Sequence, residues 1–400
     1  MTGHDLLDQL LQGVEAALPR AAELRRALHQ IPEIGGHESR TRDLVASWLP
    51  WAALGEAAGT GLVARVGPGP DAAGAVAIRA ELDALPIREE TGVAWSATGE
   101  AMHACGHDVH LAATWAVLEA ARHVDLPVGL VGLFQPREEI QPSGALDFVR
   151  GGVLAAERIG AVVGAHVQPQ VPFGEVSTGA GPINAAFDEF EIVVHGRGGH
   201  GAYPHTAIDP VPILASIVTG THELVSRVVD PTHAAVISVG LLQAGEAPNV
   251  IAGSARCAGT IRTFVEGDRD ALRAGLRRLS EGLAAARGAT AEVRIEEGGP
   301  ALVNDPGLVK RADRLLARAG LTVSQRPLRS CGSDDFSFYS DAAATLMMFI
   351  GTGAGAGEPG LHHARFLPSE ETLAHTARAL ACAVVAGSEH NQGVWGPHPR

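Results

Sequence analysis

Short apolar runs alternate with segments of helical periodicity through the first 180 residues. "GLVARV" (61–66), "AVAIRA" (75–80), "VGLVGLF" (128–134) and "AVVGA" (161–165) have the length and composition of strands. The opening "MTGHDLLDQLLQGVEAALPR" and "LAATWAVLEAARHV" (111–124) repeat their apolar positions as helices do. The alternation predicts an α/β sheet of parallel strands covered by helices. In such sheets ligands gather beyond the carboxyl ends of the strands. The polar stretches "ELDALP" and "QPREE", and His166, follow the second, third and fourth runs.

Residues 186–297 have a different rhythm. "AFDEFEIVVHG" reads as a strand, and "DPVPILASIVTGTHELVSRVV" as a helix. "AAVISVGLL" and "SARCAGTIRTF" follow as two strands. Leu272, Leu276, Leu279 and Leu283 mark a second helix, with Gly288 as its stop. "AEVRIEE" alternates as a last strand. The order β-α-β-β-α-β is ferredoxin-like. After it, helix and strand resume with "DPGLVKRADRLLARAG" and "ATLMMFIG". A small domain, 186–297, is therefore expected inside a discontinuous large one, 1–185 and 298–400.

Composition narrows the function. The chain has 400 residues and is 46% hydrophobic, enough for a large core. Its formal charge of −14 argues against a nucleic-acid partner. No run approaches the ~20 apolar residues of a membrane span. The N-terminus lacks the basic start and apolar middle of a signal peptide, so a cytoplasmic location is the default. Cys105, Cys257, Cys331 and Cys382 are scattered and are expected as thiols.

One of those cysteines sits in "MHACGHDVH" (102–110). A thiolate and an imidazole two residues apart, Cys105 and His107, can reach one metal site. His103 and His110 fit supporting or helix-capping roles better. Asp108 either caps the following helix or orients a ligating histidine. Glu138 and Glu139 end an apolar strand; in a turn they can converge, one as ligand and one as free base. His166 ends a buried strand, and His362 follows a Gly-rich stretch. Cys105, His107, Glu139, His166 and His362 together exceed the four ligands of a structural zinc site, so two ions fit better. Mixed S, N and O donors suit zinc, manganese, cobalt or nickel over magnesium or calcium.

The motifs in order resemble the metal-dependent amidohydrolases related to aminoacylase and the co-catalytic zinc carboxypeptidases. Those motifs are "RRALHQIPEIGGHE", "AIRAELDALPI", "MHACGHDVH", "FQPREE", "GAH", "GRGGHGAYPH", "APNVIAGSARCAGTIRTF", "GSDDFSFY" and "LHHARF". The chain is most similar to the subgroup of hippurate hydrolase and the plant hormone–amino acid conjugate hydrolases. The resemblance implies a di-metal α/β catalytic domain with a mixed, helix-covered sheet, and an inserted lid that forms a homodimer or a higher oligomer. It implies two divalent ions, manganese or zinc first and cobalt or nickel next. It implies Cys105, His107, Glu139, His166 and His362 as ligands and Glu138 as general base. His200 matches a lid histidine that donates to the oxyanion from the partner subunit. Asn249 and Arg262 match residues that hold the substrate carboxylate. Gly332 matches a demanding turn beside the pocket, with Ser333 and Asp335 as further pocket residues.

The implied reaction is hydrolysis of an N-acyl amino acid. Desuccinylase cousins carry carboxylates where this chain has Cys105 and His166, which favours that substrate class. A dipeptidase or another aminoacylase is the nearest alternative. A non-catalytic homologue would lack a ligand or Glu138, and all are present. This chain has Glu81 and Leu82 where the family usually has Asp and Met; Asp83 is kept as a support of the metal shell. Glu81 is expected to reorganise the site, and Arg137 to shift pKa values or select acidic substrates. Val109, Asp334 and His363 are further departures.

Overall fold

The computed structural model describes residues 3–353 and 359–395. They form two compact units. The first runs to Gly181 and takes in Val303–Leu328 and the chain from Phe338 onward; the second comprises Pro182–Leu302 and Arg329–Ser337. The sequence reading placed Arg329–Ser337, with Gly332, in the large domain. The backbone explains the difference: Ser330 N–H donates to Ile183 at 2.8 Å, and Ala185 N–H donates to Ser330 at 3.1 Å.

The first unit is built on an eight-stranded mixed sheet. The strand order is Ala53–Ala57, Gly61–Val66, Gly129–Gln135, Ala75–Glu81, Ile159–Gln168, Ala344–Gly351, Glu175–Ser177, Thr322–Val323. The four middle strands from Gly129–Gln135 to Ala344–Gly351 are parallel. Nearly every residue of these four is buried, which is why they read as unbroken apolar runs. The sheet is mixed, as the resemblance implied: Gly61–Val66 runs antiparallel to Gly129–Gln135, and Ala344–Gly351 to Glu175–Ser177. Ala53–Ala57 and Gly61–Val66 are antiparallel. Their link is too short for a crossover, and Ala58 and Gly59 turn it with φ of +53° and +82°. Ala53–Ala57 escaped the sequence reading because it is largely exposed and does not alternate.

Helices cover the sheet. Gly3–His29 runs nine residues past the expected end and buries Leu6, Leu7, Leu10, Val14, Leu24 and Leu28. It packs on His107–Ala121, which is buried almost throughout, and on Glu370–Trp395. Among the described residues no helix is long and apolar enough to cross a membrane. All four cysteines are free thiols.

The second unit is the β-α-β-β-α-β pattern. Its antiparallel sheet has the order Ala235–Ala244, Ser254–Thr263, Ala186–His195, Thr290–Glu297. Helices Pro210–Val228 and Glu266–Ala285 supply Ile213, Ile217, Leu272 and Leu276 to a core shared with Ile192 and Ile261. Asp209 caps the first helix by accepting from Val211 N–H at 3.0 Å. Gly288 ends the second with φ +74°, and Ala289 N–H returns to the Ala284 carbonyl.

Asp188 holds this unit's charges. Its fully buried carboxylate takes both Arg269 and Arg273 in two-pronged pairs between 2.6 and 3.1 Å. Burial opposes its charge, yet the bonds from Arg273 and Arg269 hold its pKa below the usual carboxylate range. Asp188→Ala leaves two guanidiniums without their anion. Urea unfolding at neutral pH is expected to show a loss of about 3–5 kcal/mol. Because the folded pKa is lowered, this stabilisation is complete above the ordinary carboxylate range and fades as pH falls through the folded value. The gap between parent and variant should therefore narrow in acid. A gap under about 1 kcal/mol at neutral pH, or one that widens in acid, contradicts this account.

Candidate metal centre

Local backbone geometry fixes the cysteine–histidine pair. Gly106 caps helix His107–Ala121 with φ +81°, and a Cβ there would lie 2.4 Å from Val167 Cγ2. Only glycine fits both constraints. The helix starts at His107, four residues earlier than its apolar period indicated, because polar His107, Asp108 and His110 occupy the first turn.

The two glutamates leave the end of Gly129–Gln135 through a turn in which Arg137 has φ +52°. That turn lets adjacent carboxylates share one side, which an extended strand forbids. Glu139 N–H donates to Asp83 Oδ2 at 2.9 Å. His166 lies inside strand Ile159–Gln168 rather than beyond it, paired in register with Phe349. His362, with φ +62°, donates its N–H to the Ala104 carbonyl at 2.9 Å.

These segments bring the predicted ligands together. The donor atoms of Cys105, His107 and His166 lie within 4.8 Å of one another. So do those of Cys105, Glu139 and His362, and those of His107, Glu138 and Glu139. His166 Nε2 is 3.4 Å from Cys105 Sγ, and His362 Nε2 is 3.3 Å from Glu139 Oε1. Glu138 Oε2 is 3.8 Å from His107 Nε2.

The ring orientations fit cation binding. His107 Nδ1 donates to the Asp83 carbonyl at 2.8 Å. Its buried Nε2 has no hydrogen-bond partner and carries the lone pair. His166 Nδ1 donates to the Val167 carbonyl at 2.7 Å, which leaves Nε2 facing Cys105. Metal-ligating histidines use their second nitrogen in this way. One sulfur, three imidazoles and carboxylates form a donor set suited to a transition ion.

Charge points the same way. Burial, with Glu139, Glu138 and Glu81 nearby, pushes the Cys105 thiol well up. Burial opposes a proton on His107, but Glu81, Asp83 and Glu139 outweigh it and raise its pKa. The bond to Glu139 raises His362. Burial likewise opposes charge on Glu139, yet His362 and His107 lower its pKa. Cys105, His107 and His362 thus favour their protonated forms beside an ionised Glu139.

The supporting residues depart from expectation in part. Asp83 is buried and holds both His107 and Glu139. Asp108 neither caps the helix nor meets His107: it accepts from Arg25 Nε at 3.0 Å and His29 Nδ1 at 3.1 Å. The long buried Arg25 side chain reaches it from the N-terminal helix first. Burial pushes His103 down to about 3, so it is neutral. The Arg137 guanidinium turns away to Asp147 and the Ala58 carbonyl. Its positive φ, not its charge, is what shapes the glutamate turn. Sequence reasoning missed Arg25, which also donates to the Pro368 and Ser369 carbonyls; the only signal was "RRALHQIPE" itself.

The remaining candidates belong to the second unit. His200 pairs in register with Val250, beside Asn249, and Gly201 N–H donates to the Asn249 carbonyl. His200 Nδ1 accepts from Ala202 N–H at 3.1 Å, so its exposed Nε2 carries the proton. Arg262 Nη1 donates to the Cys331 carbonyl at 2.8 Å, next to Gly332. Gly332 does not need a positive φ, and an added Cβ would meet only Ser330 Oγ at 3.0 Å. Gly332 N–H donates to the Ser330 hydroxyl at 2.9 Å.

Comparison with known proteins agrees with this geometry. The profile of peptidase family M20/M25/M40 matches residues 77–386. The N-acetylcysteine deacetylase of Bacillus subtilis is 34% identical over 90% of this chain and 95% of its own length. Thermostable carboxypeptidase 2 of Saccharolobus solfataricus is 34% identical over 96% of this chain and 98% of its own. The crystal structure of the Bacillus subtilis YXEP protein, described as a dinuclear metal binding peptidase from the M20 family, superposes with a TM-score of 0.81. It is 32% identical and covers 93% of this chain and 98% of its own.

Gly106→Ala tests the backbone constraint. The left-handed φ costs an alanine about 1–2 kcal/mol, before Val167 is displaced. Thermal unfolding of the metal-free chain should show at least that loss, and divalent-ion binding should weaken with it. Parent-like stability would mean that glycine is not required between Cys105 and His107.

Proposed function

The chain belongs to peptidase family M20/M25/M40, and from that premise we propose that it hydrolyses the amide of N-acyl amino acids, releasing a carboxylate and an amino acid. It is an enzyme of a metal-dependent amide hydrolase family. The observation that carries the reading is the division of labour between the glutamates. Glu139 shares a donor cluster with Cys105 and His362, whereas Glu138 shares one with His107 and Glu139 and none with Cys105 or His362.

We assign Cys105, His107, Glu139, His166 and His362 to two divalent ions, manganese or zinc first. Such ions acidify a water and polarise the scissile carbonyl. Glu138 takes the proton of the attacking water and returns it to the departing amine. Asp83 keeps His107 and Glu139 in place through its carbonyl and carboxylate. His200 donates its Nε2–H to the developing oxyanion. Asn249 and Arg262 hold the substrate carboxylate, for which a guanidinium fork is suited. We assign the second unit a lid role, since excluding water is what such elements do in hydrolases.

Homodimerisation belongs to the same proposal. Strand Ala235–Ala244 is the edge of its sheet and exposes Val236, Leu241 and Leu242. Such an edge favours pairing with a second copy.

Glu138→Ala should keep divalent-ion affinity within a few-fold while turnover falls about 10²–10⁴-fold, the usual range for a general base. Near-normal turnover rejects the base. The substrate class is tested by loading the chain separately with manganese, zinc, cobalt and nickel, and assaying N-acetyl, N-benzoyl and indole-acetyl amino acids beside dipeptides. Preference for dipeptides would move the reading to a peptidase. Ion uptake should release protons, since the ligands bind deprotonated. Affinity measured by calorimetry should accordingly fall as pH falls; a rise would contradict the ligand set.

A further inference from the structure

Glu81 ends the fully buried strand Ala75–Glu81, and both of its oxygens are engaged. Oε1 pairs with the Arg79 guanidinium, and Oε2 lies 2.9 Å from His110 Nδ1. His110 Nε2 accepts the Val167 N–H at 3.0 Å. A neutral imidazole that accepts at Nε2 must carry its proton on Nδ1, so His110 donates to Glu81. The Val167 carbonyl then accepts from His166 Nδ1 at 2.7 Å, and His166 Nε2 faces Cys105 Sγ. Hydrogen bonds on either side of Val167, joined through its backbone, thus connect Glu81 to a candidate ligand.

We propose that Glu81 is a positioning residue of the metal centre, acting on His166 through His110 and the Val167 backbone. The inference rests on the metal-centre reading above and adds to it a residue that touches neither ion nor substrate. Direct ligation is the competing role, since donor atoms of Glu81, His107 and His110 lie within 4.8 Å of one another. It is disfavoured because both nitrogens of His110 and both oxygens of Glu81 already have partners. Side-chain length matters here. Aspartate, one methylene shorter on the same backbone, cannot span both Arg79 and His110. Glutamine keeps the length but puts an N–H where an acceptor is required, facing either the guanidinium or the His110 proton.

The test uses the full chain and cobalt or manganese as the probe. Ion stoichiometry and Kd are measured by calorimetry for the parent, Glu81→Asp and Glu81→Gln, and the cobalt spectra are compared. In both variants one ion should bind about 10–100-fold more weakly, the usual cost of removing a group that orients a ligand. The cobalt spectrum should change, and kcat should fall with KM nearly constant. Folded variants that keep the parent's Kd for both ions and its spectrum overturn the proposal. If neither variant folds, histidine 15N resonances of the parent decide: His110 protonated on Nδ1 supports the chain of bonds, and protonation on Nε2 overturns it. A parent chain that binds no divalent ion is a separate result, which removes the metal-centre reading and this proposal together.

Discussion

Two hydrogen bonds to Asp83 organise the centre. Its carbonyl receives His107 Nδ1–H, and its carboxylate receives Glu139 N–H. One buried residue after the strand Ala75–Glu81 thereby ties a helix N-terminus to the turn that follows another strand. The first bond is buried and the second partly so, and leaving a buried polar atom unpaired costs about 1–3 kcal/mol. His107 and Glu139 therefore have few alternative positions. Preorganisation of this kind is set by the sheet: parallel neighbours Ala75–Glu81 and Gly129–Gln135 end in register, Glu81 opposite Gln135.

The ion pairs beneath the centre extend the constraint. Arg25 is buried and joins Asp108, Pro368 and Ser369. Asp108 follows His107, and Pro368 lies six residues after His362. Burial opposes charge on Asp108, but Arg25 and His29 overcome it and hold the carboxylate far below its usual range. A buried pair of this sort adds little net stability against an apolar substitute, yet it is costly to break. Its effect is to specify: the N-terminal helix, helix His107–Ala121 and the segment after His362 meet where Arg25 is paired with Asp108 and with the Pro368 and Ser369 carbonyls. Stability of the first unit and geometry of its centre are for this reason one property.

What was legible in the chain follows from where the physical signal lies. Strands such as "AVAIRA" and "VGLVGLF" announced themselves because two covered faces demand unbroken apolar runs. The β-α-β-β-α-β order was readable because each of its elements has a clean period. The hairpin strand Ala53–Ala57 was not, since an exposed edge leaves no apolar trace. Cys105, His107, Glu138 and Glu139 stood out as reactive types in dense clusters. Asp108 was noticed and misplaced, because its partners Arg25 and His29 lie about 80 residues away and only the folded chain brings them near. The charge of Arg137 drew attention, whereas its φ is what bears on the glutamates. No pattern of residue types encodes a positive φ at an arginine.

Position 81 shows how a buried strand end accommodates a carboxylate. A carboxylate in a buried strand needs compensation, and Arg79 supplies it from the same strand, two residues away on the same face. Burial opposes the Glu81 charge; Arg79, His110 and His107 outweigh it and keep the carboxylate ionised. An ionised Glu81 demands a donor from His110. That demand leaves His110 Nε2 as an acceptor, and the only nearby N–H it takes among the described residues is that of Val167. Val167 also contacts the Gly106 position, through its side chain, where no Cβ is tolerated. The same residue thus receives the consequence of Glu81 on one side and sets the space for the Cys105–His107 turn on the other. Glu81 and the Cys105–His107 turn thus meet at one residue, through a hydrogen bond on one side and side-chain contact on the other.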